Sequence, residues 1–361
     1  MTLRRYLTRL FGARALGALL TLAALIQLLD LLDRSSEVLA RGGGGVLDVL
    51  HYAALRSPTV LGHAVPLAVL VGGLLAFRRL AATSEMAALR AAGVGAWRVL
   101  GALLPACALA AAAQAALLLG VAPRTERALA DWWDARSATS ADTPLAVPRR
   151  LWFRSGAEIV AVDAVSLDGA RLEGVLVVRR EDGGMIAARI EARGAAHDAA
   201  RGWVLREARV VRPGQAQAEP SAELAWPDGP SPQALRDLAR PTEAQPLDRL
   251  LAGARGNGAV ARGGAYFATR VQSAAANAAI PFLMLLLAAP TAFGLPRPGG
   301  SAGSAARRAA VGVALGLGYL VVAGLLAALG EASVLPPALA AWTAPLLFAT
   351  AGFLLLQREE G

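Results

Sequence analysis

The sequence predicts a membrane α-helical protein: six transmembrane helices, three plus three, with an antiparallel, jelly-roll-like β-domain inserted between the halves. Three observations lead there. The chain is 55% hydrophobic with a mean hydropathy of +0.47, too apolar for a soluble globular protein of 361 residues. Six apolar runs approach the ~20 residues needed to cross the ~30 Å hydrocarbon layer. Between the third and fourth runs, residues 123–264 are polar, turn-rich and in part alternate with period two.

In chain order, Arg4, Arg5, Arg9 and Arg14 precede the apolar run Ala15 to Leu29. A basic start before a short apolar core is also the pattern of a secretory signal. The apolar periodicity continues past Asp30 through Leu31, Leu32, Val38 and Leu39, as in a long first span whose far end leaves the bilayer. Span two is expected from Pro58 to Phe77, with His63 its titratable group, and span three from Val99 to Ala122, kinked at Pro105. A helix follows from Arg124 to Arg136. Strands are expected over 150–154, 158–163, 172–180, 185–193, 203–212 and 216–226, separated by turn formers such as Ser155-Gly156, Asp168-Gly169, Asp182-Gly183-Gly184 and Pro213-Gly214. Pro227 to Gly264 reads as a return linker with one short helix near 246–254. Span four covers Val271 to Pro296, with Asn277, Pro281 and Pro290 as polar or kinking points. Spans five and six cover Ala309 to Gly330 and Ala338 to Leu356. The expected domains are therefore 1–122, 123–264 and 265–361.

Charge placement orients these spans. Arginines 4, 5, 9 and 14, then 78, 79, 90 and 98, then 297, 307 and 308, then 358 would mark the cytoplasmic side. Both termini would be cytoplasmic and the β-domain would lie outside, in the periplasm of a two-membrane cell. The net charge of +9 is topological on this reading, so nucleic-acid binding is discounted. All 36 basic residues are Arg. Without a Lys the chain has no Walker A phosphate loop, and the Gly42 to Gly45 run is a turning loop. Cys107 reads as a small buried hydrophobe, and His51, His63 and His197 have no metal-ligand spacing. No metal, no cofactor and no catalytic constellation are expected. Ion-driven transport is disfavoured because the spans hold almost no ionisable group beyond His63 and Asp30.

Two polar features stand out. The stretch Ala81 to Gly93 between spans two and three reads as a short helix at the cytoplasmic surface, with Thr83 or Ser84 as cap, Glu85 in the first turn and Gly93 as stop. With no internal energy source, it is a candidate handle for a cytoplasmic motor through Ser84, Glu85, Met86, Leu89, Arg90 and Gly93. On the outer side, Arg34 and Arg41 follow the first span, while Arg124, Arg127 and Arg136 follow the third. Guanidinium groups at a leaflet boundary suit phosphate bidentately. Solvated arginines balanced by Asp33, Glu37, Asp131 and Asp134 are the plainer reading. Leu25, Leu29 and Leu32 share a helical face leading to Arg34. From these residues alone a lipid exporter, another exporter type for lipoproteins or peptides, and a membrane-anchored β-domain acting as sensor or tether all remain open.

The whole pattern resembles the lipopolysaccharide export permeases of the LptF/LptG family. The most specific matches are Pro66-Leu67-Ala68-Val69-Leu70-Val71-Gly72-Gly73-Leu74-Leu75 running into Thr83-Ser84-Glu85-Met86-Ala87-Ala88-Leu89-Arg90-Ala91-Ala92-Gly93-Val94. Others are Ala122-Pro123, Leu151-Trp152-Phe153, and Leu335-Pro336-Pro337-Ala338 with Trp342 and Pro345. Leu28-Leu29-Asp30-Leu31-Leu32-Asp33 looks more like the G than the F member, although G-type lysines after span one are replaced by Arg34 and Arg41. The resemblance implies an inner-membrane permease without its own ATPase. Its implied partners are a sister permease (LptF-like), a cytoplasmic ATPase dimer (LptB-like), a single-span periplasmic protein (LptC-like) and a periplasmic bridge (LptA-like). The substrate, lipopolysaccharide, would meet Arg34, Arg41, Arg136, Leu25, Leu29 and Leu32, and the ATPase would dock on the Glu85 helix.

Overall fold

Helices in lipid gain little from hydrophobic association, so they pack closely where small residues let backbones approach. Helix α2 (Val46–Ala82) shows this best: 72% of its most apolar window is buried, against 6% for α1 (Leu3–Arg41). A Cβ built on Gly72 would lie 2.5 Å from the Ala15 Cα, so α1 lies backbone to backbone on α2. The computed structural model describes residues 3–41, 45–137, 145–166, 168–181, 185–198, 200–215, 217–239, 247–256, 259–290 and 302–360. Gly42 to Gly44, the turn Asp182 to Gly184 and Arg297 lie outside the described residues.

The chain divides into two units. The first comprises residues 1–129 and 268–361. After α2 come α3 (Glu85–Ala91), α4 (Ala96–Ala115), a π-helical stretch (Ala116–Val121) and α5 (Ala122–Ser137). Helical structure continues through Pro105, and the span also carries the π-helical stretch. The second half is broken: α8 (Gly264–Asn277) and α9 (Ile280–Ala288) meet at 49°. Pro281 at the start of α9 has no amide to continue the α8 ladder, so the Asn277–Pro281 region is where that bend falls. Two long helices close the unit, α10 (Ala302–Glu331) and α11 (Pro337–Glu360). Among the described residues, five helices are long and apolar enough to cross a membrane, and six counting the bent pair as one span. Val69, Leu70, Leu74 and Phe77 of α2 form the core with Leu103 and Cys107 of α4 and Leu283, Met284 and Leu287 of α9.

The second unit, residues 130–267, holds one six-stranded antiparallel sheet. Its strands are β1 (Leu145–Ser155), β2 (Glu158–Val165), β3 (Arg171–Arg180), β4 (Ile186–Asp198), β5 (Gly202–Val211) and β6 (Glu219–Trp226). Each pairs with its neighbours in sequence, so the antiparallel β-domain is a meander, without the strand crossovers of a two-Greek-key jelly roll. Short turns such as Ser155 to Glu158 leave no length for a crossover. The β1 register shifts between Ala146 and Leu151, around Pro148, which cannot donate to the ladder. Val160, Val162, Val177 and Leu205 fill the core beside Trp203 and Trp226, whose ring centroids are 6.0 Å apart. The Trp226 indole N–H donates to the buried Glu158 carboxylate at 2.7 Å, and Arg179 pairs with the same carboxylate at 2.8 Å.

Besides α7 (Leu247–Ala254), the return segment holds α6 (Pro232–Ala239), which the sequence reading passed over. Ser231 accepts from the Ala234 amide, Pro232 begins the helix, and Leu235 is fully buried on the sheet core. In the β2–β3 turn, Asp168 accepts from the Ser166 hydroxyl and the Ala170 amide, which holds its carboxyl below the usual carboxylate range.

Two expectations follow. Gly72→Leu forces α1 off α2 and lowers stability by at least ~1–3 kcal/mol, read as a lower thermal unfolding midpoint of the purified protein. Ser166→Ala removes the largest cause of the Asp168 depression, so the carboxyl titrates higher by NMR. Because the depressed group stabilises above its unfolded pKa and loses that contribution as pH falls through the folded one, the variant turn gives up its stability at a higher pH.

Candidate functional site

The short helix between α2 and α4 is held from several directions. α2 ends at Ala82, and only Thr83 and Ser84 separate it from α3. Ser84 makes this turn in the left-handed region, with φ of 56° and no side-chain capping bond, which corrects the expected serine cap. The tight reversal sets the Ser84 conformation, overriding its capping preference. Thr83 does not cap either. Its hydroxyl lies 3.0 Å from the Arg79 carbonyl and 2.9 Å from Glu85 Oε1. Glu85 Oε2 accepts a 2.8 Å bond from the Tyr6 hydroxyl of α1. Met86 is 4% exposed and joins the helical core, so its side chain faces the spans and not the surface. Leu89 and Arg90 are half-buried.

The far end of α3 is the glycine stop anticipated above. Gly93, at φ +75°, donates to the Arg90 carbonyl at 2.9 Å, and the Val94 amide donates to Leu89 at 2.9 Å. This is a Schellman closure, with Leu89 and Val94 both packed against the core. The outward surface of α3 is small and flat: Ser84, Ala87, Ala88 and Ala91 are exposed.

A second polar cluster joins α1, α2 and α5. Asp30 Oδ2 accepts from the Tyr52 hydroxyl at 2.7 Å and lies 3.8 Å from Arg56 Nε, while Asp30 Oδ1 lies 3.8 Å from Arg34 Nε. Arg56 Nη1 donates to Glu126 Oε1 at 2.7 Å, and the Thr59 hydroxyl donates to the same oxygen at 2.7 Å. Tyr52, Thr59 and Glu126 are buried and Arg56 nearly so. A buried ion pair is tolerable when further hydrogen bonds satisfy it, as Thr59 and Tyr52 do here. Sequence reading named Asp30 but missed Tyr52, Arg56, Thr59 and Glu126. The available signal was that Arg56 begins one apolar run and Glu126 ends the next, which places opposite charges at one end of antiparallel spans.

Among the residues expected to meet substrate, Arg34 is within reach of Asp30 and partly exposed, and Leu25, Leu29 and Leu32 are 52%, 58% and 65% exposed on α1. The side chains of Arg41 and Arg136, with those of Glu37 and Asp134, lie outside the described residues. Of the histidines, His63 Nδ1 lies 2.9 Å from the Thr59 carbonyl and His197 stacks edge-on to Trp203. No group of three potential metal ligands occurs among the described residues. A cavity of about 40 Å³ lies between the π-helical stretch and the break of span four, lined by Gln114, Leu118 and Asn277. That volume suits a few waters.

Arg56→Ala leaves the buried Glu126 carboxylate without its short ion pair and should cost ~3–5 kcal/mol of stability. Arg34→Ala, at a more exposed pair, should change stability by less than ~1 kcal/mol. Thermal unfolding of the two variants side by side checks the contrast.

No individual curated protein matches the chain. The family described as lipopolysaccharide export system permease LptF/LptG matches residues 5–358, from the start of α1 through the last turns of α11. That span takes in both halves of the helical unit and the β-sheet inserted between them. The chain therefore belongs to the LptF/LptG family of lipopolysaccharide export permeases, multi-pass membrane subunits of a transporter.

Proposed function

We propose that this chain is one permease subunit of an ABC transporter that extracts lipopolysaccharide from the inner membrane and passes it to a periplasmic bridge. The observation that carries the reading is the fixing of α3: Met86 seats it in the core and Glu85 ties it to α1, so a force on its outer surface reaches the spans. On this reading α3 faces the cytoplasm, as Arg78, Arg79, Arg90 and Arg98 indicate, and a separate ATPase dimer docks over Ser84, Glu85, Leu89, Arg90 and Gly93. Met86 serves from beneath, as the anchor.

The substrate side is the other end of α1. Leu25, Leu29 and Leu32 leave an apolar face of this helix uncovered within the chain. Helix α10 exposes Val313, Leu317, Val321 and Leu325 in the same way. Two least-buried spans are what a cavity shared with a sister subunit would use, with acyl chains against leucines and lipid A phosphates at Arg34, Arg41 and Arg136. Leu28 to Asp33 favours the G-type member, which would pair with an F-type sister. The β-domain would lie in the periplasm, beside a single-span partner and the bridge. Closure of the nucleotide-bound ATPase dimer would then shrink the cavity and drive the glycolipid upward.

The test is the double variant Glu85→Ala with Arg90→Ala, expressed with its sister subunit. It should lose ATPase copurification or lipopolysaccharide export. Retention of both sinks the docking assignment. Photocrosslinking from positions 34 and 41 should capture lipopolysaccharide, whereas capture of protein cargo would point to a lipoprotein or peptide exporter.

A further inference from the structure

We infer that Tyr6 is the joint through which movement of α3 enters the first span, with Glu85 acting inward as its acceptor. The inference rests on the docking role proposed for α3 and says where the force goes next. Glu85 Oε2 accepts from the Tyr6 hydroxyl at 2.8 Å, and Oε1 lies 2.9 Å from the Thr83 hydroxyl, whose single proton it shares with the Arg79 carbonyl. A carboxylate acceptor makes the Tyr6 bond a charge-assisted one, stronger than its neutral equivalent. One phenol thus links α1 to α3 directly.

What lies beyond Tyr6 makes it a joint and not only a surface contact. Leu7, the next residue, and Phe11, just over a turn further along α1, are each 2% exposed in the helical core. Helix α1 has no proline and runs unbroken from Leu3 to Arg41, pressed on α2 where Ala15 meets Gly72. At 1.5 Å per residue, the 24 residues from Tyr6 to Asp30 span roughly 36 Å, about the thickness of the apolar layer. The far end is tied by Asp30 to Tyr52 and Arg56, and Arg34 lies one turn further along. A displacement of Glu85 is therefore delivered by a continuous rod to the residues proposed to hold lipid phosphates. The backbone link from α3 into α2 through Thr83 and Ser84 bypasses that rod.

Tyr6→Phe keeps the ring and its packing and removes only the hydroxyl. Reconstituted into proteoliposomes with the sister subunit and the ATPase, it should still copurify the ATPase, but lipopolysaccharide exported per ATP hydrolysed should fall about tenfold. Stimulation of ATP hydrolysis by lipopolysaccharide should fall with it, a readout that a merely structural role would not move. Glu85→Gln, whose amide oxygen still accepts from Tyr6, should lose less coupling than Tyr6→Phe. Unchanged export per ATP in Tyr6→Phe overturns the joint and leaves the docking role of α3 standing. Loss of the ATPase from Tyr6→Phe also overturns it, because Tyr6 would then belong to the dock. A coupling loss in Glu85→Gln as large as that of Tyr6→Phe overturns the hydrogen bond as the link. A wild-type complex that binds no ATPase contradicts the docking reading itself.

Discussion

The contact of Ala15 with Gly72 is the constraint from which the rest of the helical unit follows. Two helix backbones can lie this close only where one residue has no side chain, and the approach leaves α1 almost no freedom to roll on α2. With that register set, Tyr6 meets Glu85 toward one end of α1 and Asp30 meets Tyr52 and Arg56 toward the other. The polar links do not create the packing. They exploit a placement already decided by glycine and alanine, which explains how a span only 6% buried over its most apolar window still has a defined orientation.

The helices and strands were legible because each announces itself locally. Hydropathy marks a span wherever the bilayer requires ~20 apolar residues, and a half-buried strand alternates with period two whatever its partner. The structure returns all six strands near their expected bounds. What local pattern cannot carry is pairing at a distance. Arg56 and Glu126 are separated by 70 residues, and each by itself looks like an ordinary end-of-span charge. Only the antiparallel course of α2 and α4 brings them together, so a reading by windows sorts them as boundary markers.

Three other differences have the same origin. Ser84 and Thr83 are good capping residues by type, but the tight reversal from α2 into α3 decides the Ser84 backbone. Met86 counted as part of an exposed polar stretch until packing turned it inward. The eight residues of α6 lay inside a stretch read as linker, and its clearest signal was the Ser231-Pro232 start. In each case a weak local preference yields to a contact from elsewhere in the chain. The candidate sites were thus legible as residues and illegible as arrangements: Glu85, Asp30 and Arg34 were singled out, while Tyr6, Tyr52 and Arg56, which give them direction, were not.

The π-helical stretch has a consequence for the phase of everything after it. A helix advances ~100° per residue, and a π-type turn accommodates an additional residue without lengthening the ladder by a full step. Residues beyond Val121 are therefore rotated relative to an uninterrupted α-helix grown from Ala96. Glu126 reaches Arg56 and Thr59 in that rotated frame. Removing one alanine or leucine between Ala116 and Val121 would let the ladder close as plain α-helix with Glu126 still facing its cation, whereas one more residue in the regular turns of α4 would swing Glu126 by roughly 100°. The bulge thus absorbs a change in residue number that a regular helical turn could not.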